Sequence, residues 1–449
     1  MRRLLCFLLI FVIMLPFCVH AMEIEDEPPA EDPVEEKIEL AATARSALVY
    51  ETLSGQFLFE KNIHERTSVA SLTKIMTALL VIEYGGFAEM VTAQETAYAD
   101  LVPGGSTQNI VPGEIMSVEY LLYCALISSA NEACNILAEH IAGSIEAFVE
   151  MMNQRAREIG CLNTNFVNTH GLTHDDQYST AYDVLLITQE TMKHPEFMEI
   201  VNHTSKSIPA TNISEGRALY TTNHLLSRRT LSTYYYHLAQ GIKTGYTSRA
   251  GFCLVSSAAH NGLSLITIVL GCERIDGIVY SFVETKELME WAFDMFAYRV
   301  IIRATDEFYS VNVELGKGVS EVNVKPRTSL TALVPKDLDN ADIERRVTLP
   351  DSVVAPVARG QELGEITLSY GNTVYGTIPL VADFEVELSQ EESIIQDIMG
   401  VMQQPWIRYA VMAIIAVILL YVIAVLIYNT KRRRSRIRGN YRGKRRRRR

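Results

Sequence analysis

The apolar residues at the two ends of the central region are spaced as in β-strands. Two short runs, residues 47–50 and 57–59, are joined by polar residues and predict a β-hairpin. Strand-like sequence returns over residues 251–271, where Asn261 and Gly262 favour a tight turn between antiparallel strands. These segments therefore predict strands at both ends of one domain.

Between these strands the apolar positions recur with the period of an α-helix. The helical pattern extends from residue 71 to about residue 192 and is clearest over residues 121–141 and 148–159. A last helix is predicted from about residue 284 to residue 298. Because strands flank a helical middle, we expect one α/β domain, residues 41–300, whose terminal segments share a sheet.

After residue 303 the pattern changes to short alternating runs such as "VNVEL" and "EVNVK". Gly371 and Asn372 favour the turn of a further hairpin, so residues 301–388 are predicted to form a small all-β domain. Nothing in this segment suggests catalytic chemistry. We expect this domain to hold the first domain away from a membrane. A carbohydrate-binding face is the alternative. The all-β fold itself does not distinguish the two roles, because a fold alone does not supply a function.

The beginning of the chain has the features of an exported protein. Arg2 and Arg3 precede an apolar run, and a cleavage site ending at Ala21 completes the layout of a signal peptide over residues 1–21. Residues 22–40 are rich in Pro and Glu and have little to bury. This composition predicts a disordered acidic linker.

The other end of the chain predicts a membrane anchor. Residues 409–428 contain no Asp, Glu, Lys or Arg, and a helix of that length matches the hydrocarbon core of a bilayer. They follow a juxtamembrane segment, residues 389–408, and precede a tail, residues 429–449, in which 13 of the last 19 residues are basic. The positive-inside rule predicts a single-pass protein of the cell membrane, with this tail in the cytoplasm and the folded domains outside.

The basic tail raises the alternative of nucleic-acid binding, since runs of Lys and Arg bind phosphate without sequence preference. The formal net charge is −12, and removing the 13 positive charges of the tail leaves −25 for residues 1–430. We therefore expect no nucleic-acid partner. The tail is expected to stop transfer through the membrane and to contact anionic lipid headgroups.

The cysteines and histidines predict neither a disulfide framework nor a metal site. Two of the seven cysteines, Cys6 and Cys18, lie in the signal peptide, and the other five are widely spaced in a large domain. The ten histidines show no metal-binding spacing such as HExxH. We expect no metal and no cofactor.

Candidate chemistry begins in the stretch "SVASLTKIMTALLVIEYGG". Ser71 and Lys74 are three residues apart, so a helix would place them on one face. The apolar helix that follows must be buried, and burial lowers the pKa of a lysine, which makes its neutral amine available as a base. Ser71 is then a candidate nucleophile, whereas an N-cap serine beside a lysine that extends to solvent is the structural alternative.

Two further motifs support the catalytic interpretation. The segment "SSANEACNILAEHIAG" carries Ser129 and Asn131 at the start of another amphipathic helix, and "GIKTGYTSRAGFCLV" carries Lys-Thr-Gly at residues 243–245, leading into a predicted strand. In the order S-x-x-K, S-x-N and K-T-G, these motifs form the set found in active-serine acyl-transferases.

With these motifs the chain resembles the D-alanyl-D-alanine carboxypeptidases, the low-molecular-mass penicillin-binding proteins that trim peptidoglycan stem peptides. The resemblance covers residues 41–388 and includes "ASLTKIMTA", "SANEAC", "THGLTHDDQYSTAYD", "GIKTGYTSRAGF" and "APVARGQELGEI". It implies an α/β catalytic domain of the β-lactamase/transpeptidase type, a C-terminal β domain and covalent binding of penicillin. The family often has an amphipathic helix lying on the membrane, whereas this chain has a predicted full span.

The resemblance also implies a role for each matched catalytic residue. Ser71 attacks the carbonyl between the two terminal D-alanines of a stem pentapeptide, and Lys74 takes its proton. Ser129 passes the proton to the departing D-alanine, while Asn131 holds Lys74 and a substrate amide. Lys243 adds positive charge that favours the neutral form of Lys74.

On the substrate side, the resemblance assigns the terminal carboxylate to Thr244, which precedes Gly245 in the K-T-G motif. The backbone N–H groups of Ser71 and Tyr246 would form the oxyanion hole. Arg274 is a further candidate for the carboxylate, although its segment, "GCERIDGIVYS", does not align cleanly with the usual arginine of the family.

Two rival functions remain open. A class A β-lactamase shares all three motifs but needs a glutamate in an E-x-x-x-N element to activate the deacylating water, and the segment between Asn131 and Lys243 has no such element. A non-catalytic protein that senses β-lactams or binds the cell wall would be expected to have a broken motif, and none is broken here. His170 and Asp183 are expected to hold the linking segment in place rather than to act in catalysis.

Overall fold

The computed structural model of the protein describes residues 40–229, 233–305 and 308–445. The predicted signal peptide, residues 1–21, lies outside the described residues, as do residues 22–39 of the predicted linker and the last four residues of the tail.

The first domain is built on a five-stranded antiparallel sheet, in the order β2-β1-β9-β8-β7. Three two-stranded ribbons, β3-β4, β5-β6 and β10-β11, lie outside it. The strands of this domain are β1 (Ser46–Glu51), β2 (Gln56–Lys61), β3 (Met90–Thr92), β4 (Ile115–Ser117), β5 (Ser205–Ile208), β6 (Arg217–Tyr220), β7 (Ala239–Thr247), β8 (Gly251–His260), β9 (Leu263–Cys272), β10 (Arg274–Ile275) and β11 (Ile278–Val279).

The sheet joins the two ends of the domain, as the sequence predicts. Ser46 of β1 pairs with Leu270 of β9, and the β1-β2 hairpin is present. Asn261 and Gly262 turn the chain between β8 and β9 with φ angles of 50° and 82°. Positive φ at both turn positions matches the right-handed twist of the strands, so this predicted turn is confirmed.

Helices lie between these strands in the chain. They are α1 (Lys74–Tyr84), α2 (Val118–Ile127), α3 (Asn131–Ala142), α4 (Ile145–Ile159), α5 (Ala181–Met192), α6 (Pro195–Val201) and α7 (Tyr280–Met295). Helix α1 packs against α2, α3, α4 and α5, while α7 packs on β8 and β9. Every residue from Lys74 to Val81 in α1 is buried, so this helix forms the centre of the core.

The helical stretch over residues 121–141 has a break at Ser129, whose φ of 63° a helix cannot continue through, and the helix predicted to start there begins at Asn131. One helical expectation needs correction. The helix predicted to end at residue 298 ends at Met295, because Phe296 begins a strand that pairs with the second domain.

The second domain contains two sheets, β12-β15 and the six-stranded β16-β18-β19-β14-β13-β17. The predicted hairpin at Gly371 joins β18 to β19, and the predicted domain boundary at residue 300 falls inside β12. The strands are β12 (Phe296–Ile302), β13 (Tyr309–Glu314), β14 (Glu321–Pro326), β15 (Leu330–Pro335), β16 (Glu344–Thr348), β17 (Ser352–Val354), β18 (Glu362–Tyr370) and β19 (Thr373–Ala382).

A buried carboxylate connects the two domains. The side chain of Glu51, at the end of β1, accepts hydrogen bonds from the backbone N–H groups of Ser54 (2.6 Å) and Ser264 (3.1 Å) and from the hydroxyl of Tyr298 in β12 (2.7 Å). Burial alone would raise the pKa of Glu51, but these hydrogen bonds outweigh it and leave the pKa lowered. The carboxylate is therefore held in its charged form.

Two helices follow the second domain. Helix α8 (Gln390–Met402) buries none of its residues and exposes six large apolar side chains: Ile394, Ile395, Ile398, Met399, Val401 and Met402. Helix α9 extends over Pro405–Arg445. Its part Pro405–Arg434 is long and apolar enough to cross a membrane, and a stretch of 18 residues within it has a mean hydropathy of 3.2.

The Glu51–Tyr298 contact predicts a measurable stability effect. Tyr298→Phe should lower the free energy of unfolding by about 1.5–3 kcal/mol, because it removes a hydrogen bond to a buried charged group while keeping the ring. Urea denaturation followed by circular dichroism measures this change. Tyr370→Phe, at a tyrosine that is 46% exposed, is the matched control and should be neutral. Equal stability of the two variants would show that the contact contributes nothing.

Candidate active site

A cavity of about 760 Å³ opens between the sheet and the helical region of the first domain. Residues from all three sequence motifs line it, together with Arg274 from the β10-β11 ribbon. The predicted site residues in its wall are Ser71, Ser129, Asn131, Thr244, Gly245, Tyr246 and Arg274. Lys74 and Lys243 lie behind this wall, with exposed fractions of 0% and 1%.

The first motif places a hydroxyl and an amine in contact. Ser71 lies in a 3-10 turn, Ala70–Thr73, and Lys74 is the first residue of α1. The Lys74 Nζ is 2.9 Å from Ser71 Oγ. The serine is therefore not inside the α-helix itself, although the spacing of three still brings both side chains to one face.

Three oxygen atoms surround the amine of Lys74. Besides Ser71 Oγ, it contacts Oδ1 of Asn131 at 2.8 Å and the backbone oxygen of His170 at 2.7 Å. Burial lowers the pKa of Lys74 to about 8, outweighing the opposite effect of the nearby Glu132 carboxylate. The lowered pKa of Lys74 was predicted from the sequence, whereas its contact with the backbone oxygen of His170 was not.

Lys243 also lies in a dry environment. Its Nζ donates to the backbone oxygen of Thr244 at 3.0 Å. Burial, and then the charge of Lys74, lower the pKa of Lys243 well below its ordinary value. The charge of Lys74 thus disfavours a charged Lys243, whereas the expected effect of Lys243 on Lys74 stays a prediction.

The second motif sits at the break between two helices. Ser129 joins α2 to α3 with a φ of 63°, and Asn131 begins α3. The backbone N–H of Asn131 donates to the oxygen of Ser106 at 2.9 Å, which ties the motif to the loop over residues 101–107. Both side chains reach the cavity wall, but the amine of Lys74 contacts Asn131 rather than Ser129.

The third motif lies on β7, the edge strand of the sheet, against the turn that carries Ser71. A Cβ atom on Gly245 would come within 3.0 Å of the oxygen of Val69 and 3.1 Å of the backbone nitrogen of Ser71. Glycine at this position therefore lets the strand approach the serine. Tyr246 follows and is 58% exposed, with its ring stacked on Phe252 at 4.3 Å.

The linking segment closes another side of the site. A Cβ atom on Gly171, which has a φ of 91°, would overlap the backbone oxygen of Ala70. The ring of buried His170 accepts at Nδ1 from the N–H of Leu172, so Nε2 donates to Asp100 at 3.0 Å. Burial lowers the pKa of His170. This neutral ring positions the backbone oxygen that contacts Lys74.

Asp183 has a structural role in the same segment. Its carboxylate accepts hydrogen bonds from the backbone N–H of Asn163 and from the hydroxyl of Thr164, both at 2.7 Å. It does not line the cavity.

The five cysteines among the described residues are all buried, and none of them forms a disulfide bond.

One feature of the cavity was not predicted from sequence. Thr222, which belongs to no motif, lines the wall and lies 2.5 Å from Thr244, measured between the hydroxyl oxygens. In addition, no Asp or Glu occurs among the described residues that line the cavity. Arg274 is in the wall, where its Nε donates to the oxygen of Gly277 at 3.3 Å.

Comparison with known proteins agrees with this geometry. Residues 32–274 match the D-alanyl-D-alanine carboxypeptidase family, and residues 296–388, which begin at the first residue of β12, match the C-terminal domain of penicillin-binding protein 5.

Individual relatives cover most of the chain. D-alanyl-D-alanine carboxypeptidase DacF of Bacillus subtilis is 31% identical over 388 residues, which cover 85% of this chain and 94% of the relative. DacC of Escherichia coli is 32% identical, with coverage of 77% and 84%. The crystal structure of penicillin-binding protein 5 from Haemophilus influenzae superposes with a TM-score of 0.56 at 29% identity, covering 77% of this chain and 98% of that one. The chain therefore belongs to the D-alanyl-D-alanine carboxypeptidase family, a family of serine hydrolases that act on peptidoglycan.

Proposed function

We propose that this D-alanyl-D-alanine carboxypeptidase removes the terminal D-alanine of peptidoglycan stem pentapeptides through an acyl-enzyme on Ser71. The observation that carries the proposal is the contact, at 2.9 Å, between the hydroxyl of half-buried Ser71 and the amine of buried Lys74. Incubation with a stem pentapeptide, followed by measurement of free D-alanine, tests the activity directly.

The surroundings of Lys74 orient the amine as a base. A neutral amine has two protons and one lone pair, and the oxygens of Asn131 and His170 can only accept hydrogen bonds. These two oxygens take both protons, so the lone pair is directed at the hydroxyl of Ser71. The hydroxyl can then donate its proton to Lys74 as Ser71 attacks the peptide carbonyl.

The other residues of the cavity have roles that complete this reaction. The backbone N–H groups of Ser71 and Tyr246 would receive the developing oxyanion, which the close packing at Gly245 supports. Ser129 would return a proton to the departing D-alanine. Thr244 would bind the terminal carboxylate, and Arg274 would add positive charge at the same cavity wall.

The cavity lining favours a carboxypeptidase over a β-lactamase. A class A β-lactamase activates its deacylating water with a glutamate, whereas the described cavity wall of this protein contains neither Asp nor Glu. When D-alanine leaves, water can approach the acyl-enzyme from the side of the leaving group. When a β-lactam is opened, its amine stays attached to the acyl group and blocks that side. The penicilloyl form should therefore be long-lived, and β-lactams should act as inhibitors.

The first prediction of this mechanism is covalent. Labelled penicillin should add one adduct to the full-length protein, at Ser71, and the adduct should persist while D-alanine release stops. Intact mass over time measures both the addition and its loss, and Ser71→Ala should carry no adduct. An adduct on another serine would contradict the assignment of the nucleophile. Rapid, repeated hydrolysis of penicillin with little release of D-alanine would identify a β-lactamase instead.

The second prediction concerns pH. The neutral amine of Lys74 is the active form and its pKa is about 8, so kcat/KM for D-alanine release should rise with pH and level off above that value. Between pH 8 and pH 6 the loss should be about fifty-fold, because the neutral fraction falls tenfold for each pH unit well below the pKa. Lys74→Arg, which stays charged, should be inactive at every pH. A flat profile from pH 6 to pH 9 in a folded enzyme would rule out Lys74 as the base.

We also propose a location for each part of the chain. The apolar part of α9 would anchor the protein in the cell membrane, with the catalytic domain outside and the basic tail on the cytoplasmic face near anionic lipids. Helix α8 exposes apolar side chains and ends three residues before α9 begins. It would therefore lie on the outer face of the cell membrane. The acidic exported domains would then face the cell wall.

This topology gives a third prediction. A reporter fused after Arg449 should be active only if it is a type that works in the cytoplasm, because the tail remains inside. Removal of residues 389–449 should release a soluble enzyme that still produces D-alanine, because both helices are lost and the two domains are retained. A reporter active only outside the cell would contradict the orientation, and a truncated enzyme still bound to membranes would contradict the anchor.

A further inference from the structure

A threonine outside the three motifs touches the residue assigned to the substrate carboxylate. Thr222 follows the end of β6, lines the cavity and has its hydroxyl oxygen 2.5 Å from that of Thr244. Either hydroxyl can be the donor in this contact. Which of them donates decides what Thr244 can offer to a ligand.

The backbone around Thr222 is held from two sides. Its N–H donates to the oxygen of Ile127, two residues before the second-motif serine, at 3.2 Å. The next residue, Asn223, is buried and donates from Nδ2 to the oxygen of Gly241 at 2.6 Å, two residues before the K-T-G motif. The backbone of Thr222 is therefore held between the second and third motifs, where its hydroxyl contacts that of Thr244.

With the carboxylate assigned to Thr244, a count of protons selects one arrangement of the two hydroxyls. Each threonine hydroxyl has one proton, and a carboxylate can only accept hydrogen bonds. If Thr244 donated to Thr222, only oxygen lone pairs of Thr244 would face the carboxylate. If Thr222 donates to Thr244, the proton of Thr244 is free for the carboxylate, and the received hydrogen bond polarises it further.

We propose that Thr222 is a positioning residue for the terminal carboxylate of the substrate. It donates its proton to Thr244 Oγ1 and so turns the proton of Thr244 toward the substrate. This inference rests on the proposed function, which assigns the carboxylate to Thr244. In this arrangement the hydroxyls of Thr222 and Thr244 together recognise a negatively charged peptide C-terminus. Binding of a neutral C-terminus should depend little on Thr222.

The test compares variants of full-length protein in detergent on two peptides, an N-acylated peptide ending in D-Ala-D-Ala and the same peptide ending in its carboxamide. Thr222→Val keeps the shape of the side chain and removes the hydroxyl, while Thr222→Ser keeps the hydroxyl. For the acid peptide, Thr222→Val should raise KM about tenfold and change kcat less than about twofold, since one hydrogen bond to a charged group is weakened. Thr222→Ser should resemble the natural enzyme, and the carboxamide should be cleaved equally by all three.

The outcomes separate this inference from the proposed function. If Thr222→Val leaves KM for the acid unchanged, or weakens acid and carboxamide equally, Thr222 does not position Thr244 for an anion. Should Thr222→Val fail to fold, as judged by circular dichroism, Thr222→Ala provides the same loss of hydroxyl and the same expected result. The proposed function fails if the natural enzyme releases no D-alanine from the acid peptide or forms no penicilloyl adduct at Ser71, and both are measured on the same samples.

Discussion

Burial of the Lys74 amine is the constraint on which the rest of the site depends. An ammonium ion without access to water is costly, so the amine must lose its proton easily and must find hydrogen-bond partners within the protein. Those partners come from three separate parts of the chain: the turn that carries Ser71, the first residue of α3, and the backbone oxygen of His170. The core around α1 therefore has to bring these three segments together around the amine.

The convergence requires unusual backbone conformations at the site. Ala70 and Ser129 have φ angles of 47° and 63°, and Gly171 has a φ of 91°. For residues other than glycine such conformations cost about 1–3 kcal/mol each. They are maintained because Ala70 and Ser129 are buried in a packed core, with exposed fractions of 1% and 4%. The energy of the core is thus partly used to hold two motif segments in the shapes that catalysis needs.

The sequence predicted the parts of the fold and site that depend on local patterns. The hairpin turn at Gly262, the shared sheet and the contact between Ser71 and Lys74 follow from spacing and residue type. So does the start of α3 at Asn131, whereas the positive φ of Ser129 was not predicted, because tertiary packing imposes it. The roles of Thr222 and of the backbone oxygen of His170 could not be predicted either. A single threonine or backbone oxygen forms no sequence pattern, and its contacts here are with residues distant in the chain.

The pairing of β1 with β9 has a consequence for the order of events during synthesis of the chain. Ser46 emerges early, but its partner Leu270 follows more than two hundred residues later. Until then β1 can pair only with β2, and the edge that will join β9 stays open. Such distant pairing is slow to close, because a long loop must be ordered first. The site around Ser71 can therefore be complete only after almost the whole first domain has been synthesised, so an incomplete chain remains an inactive hydrolase.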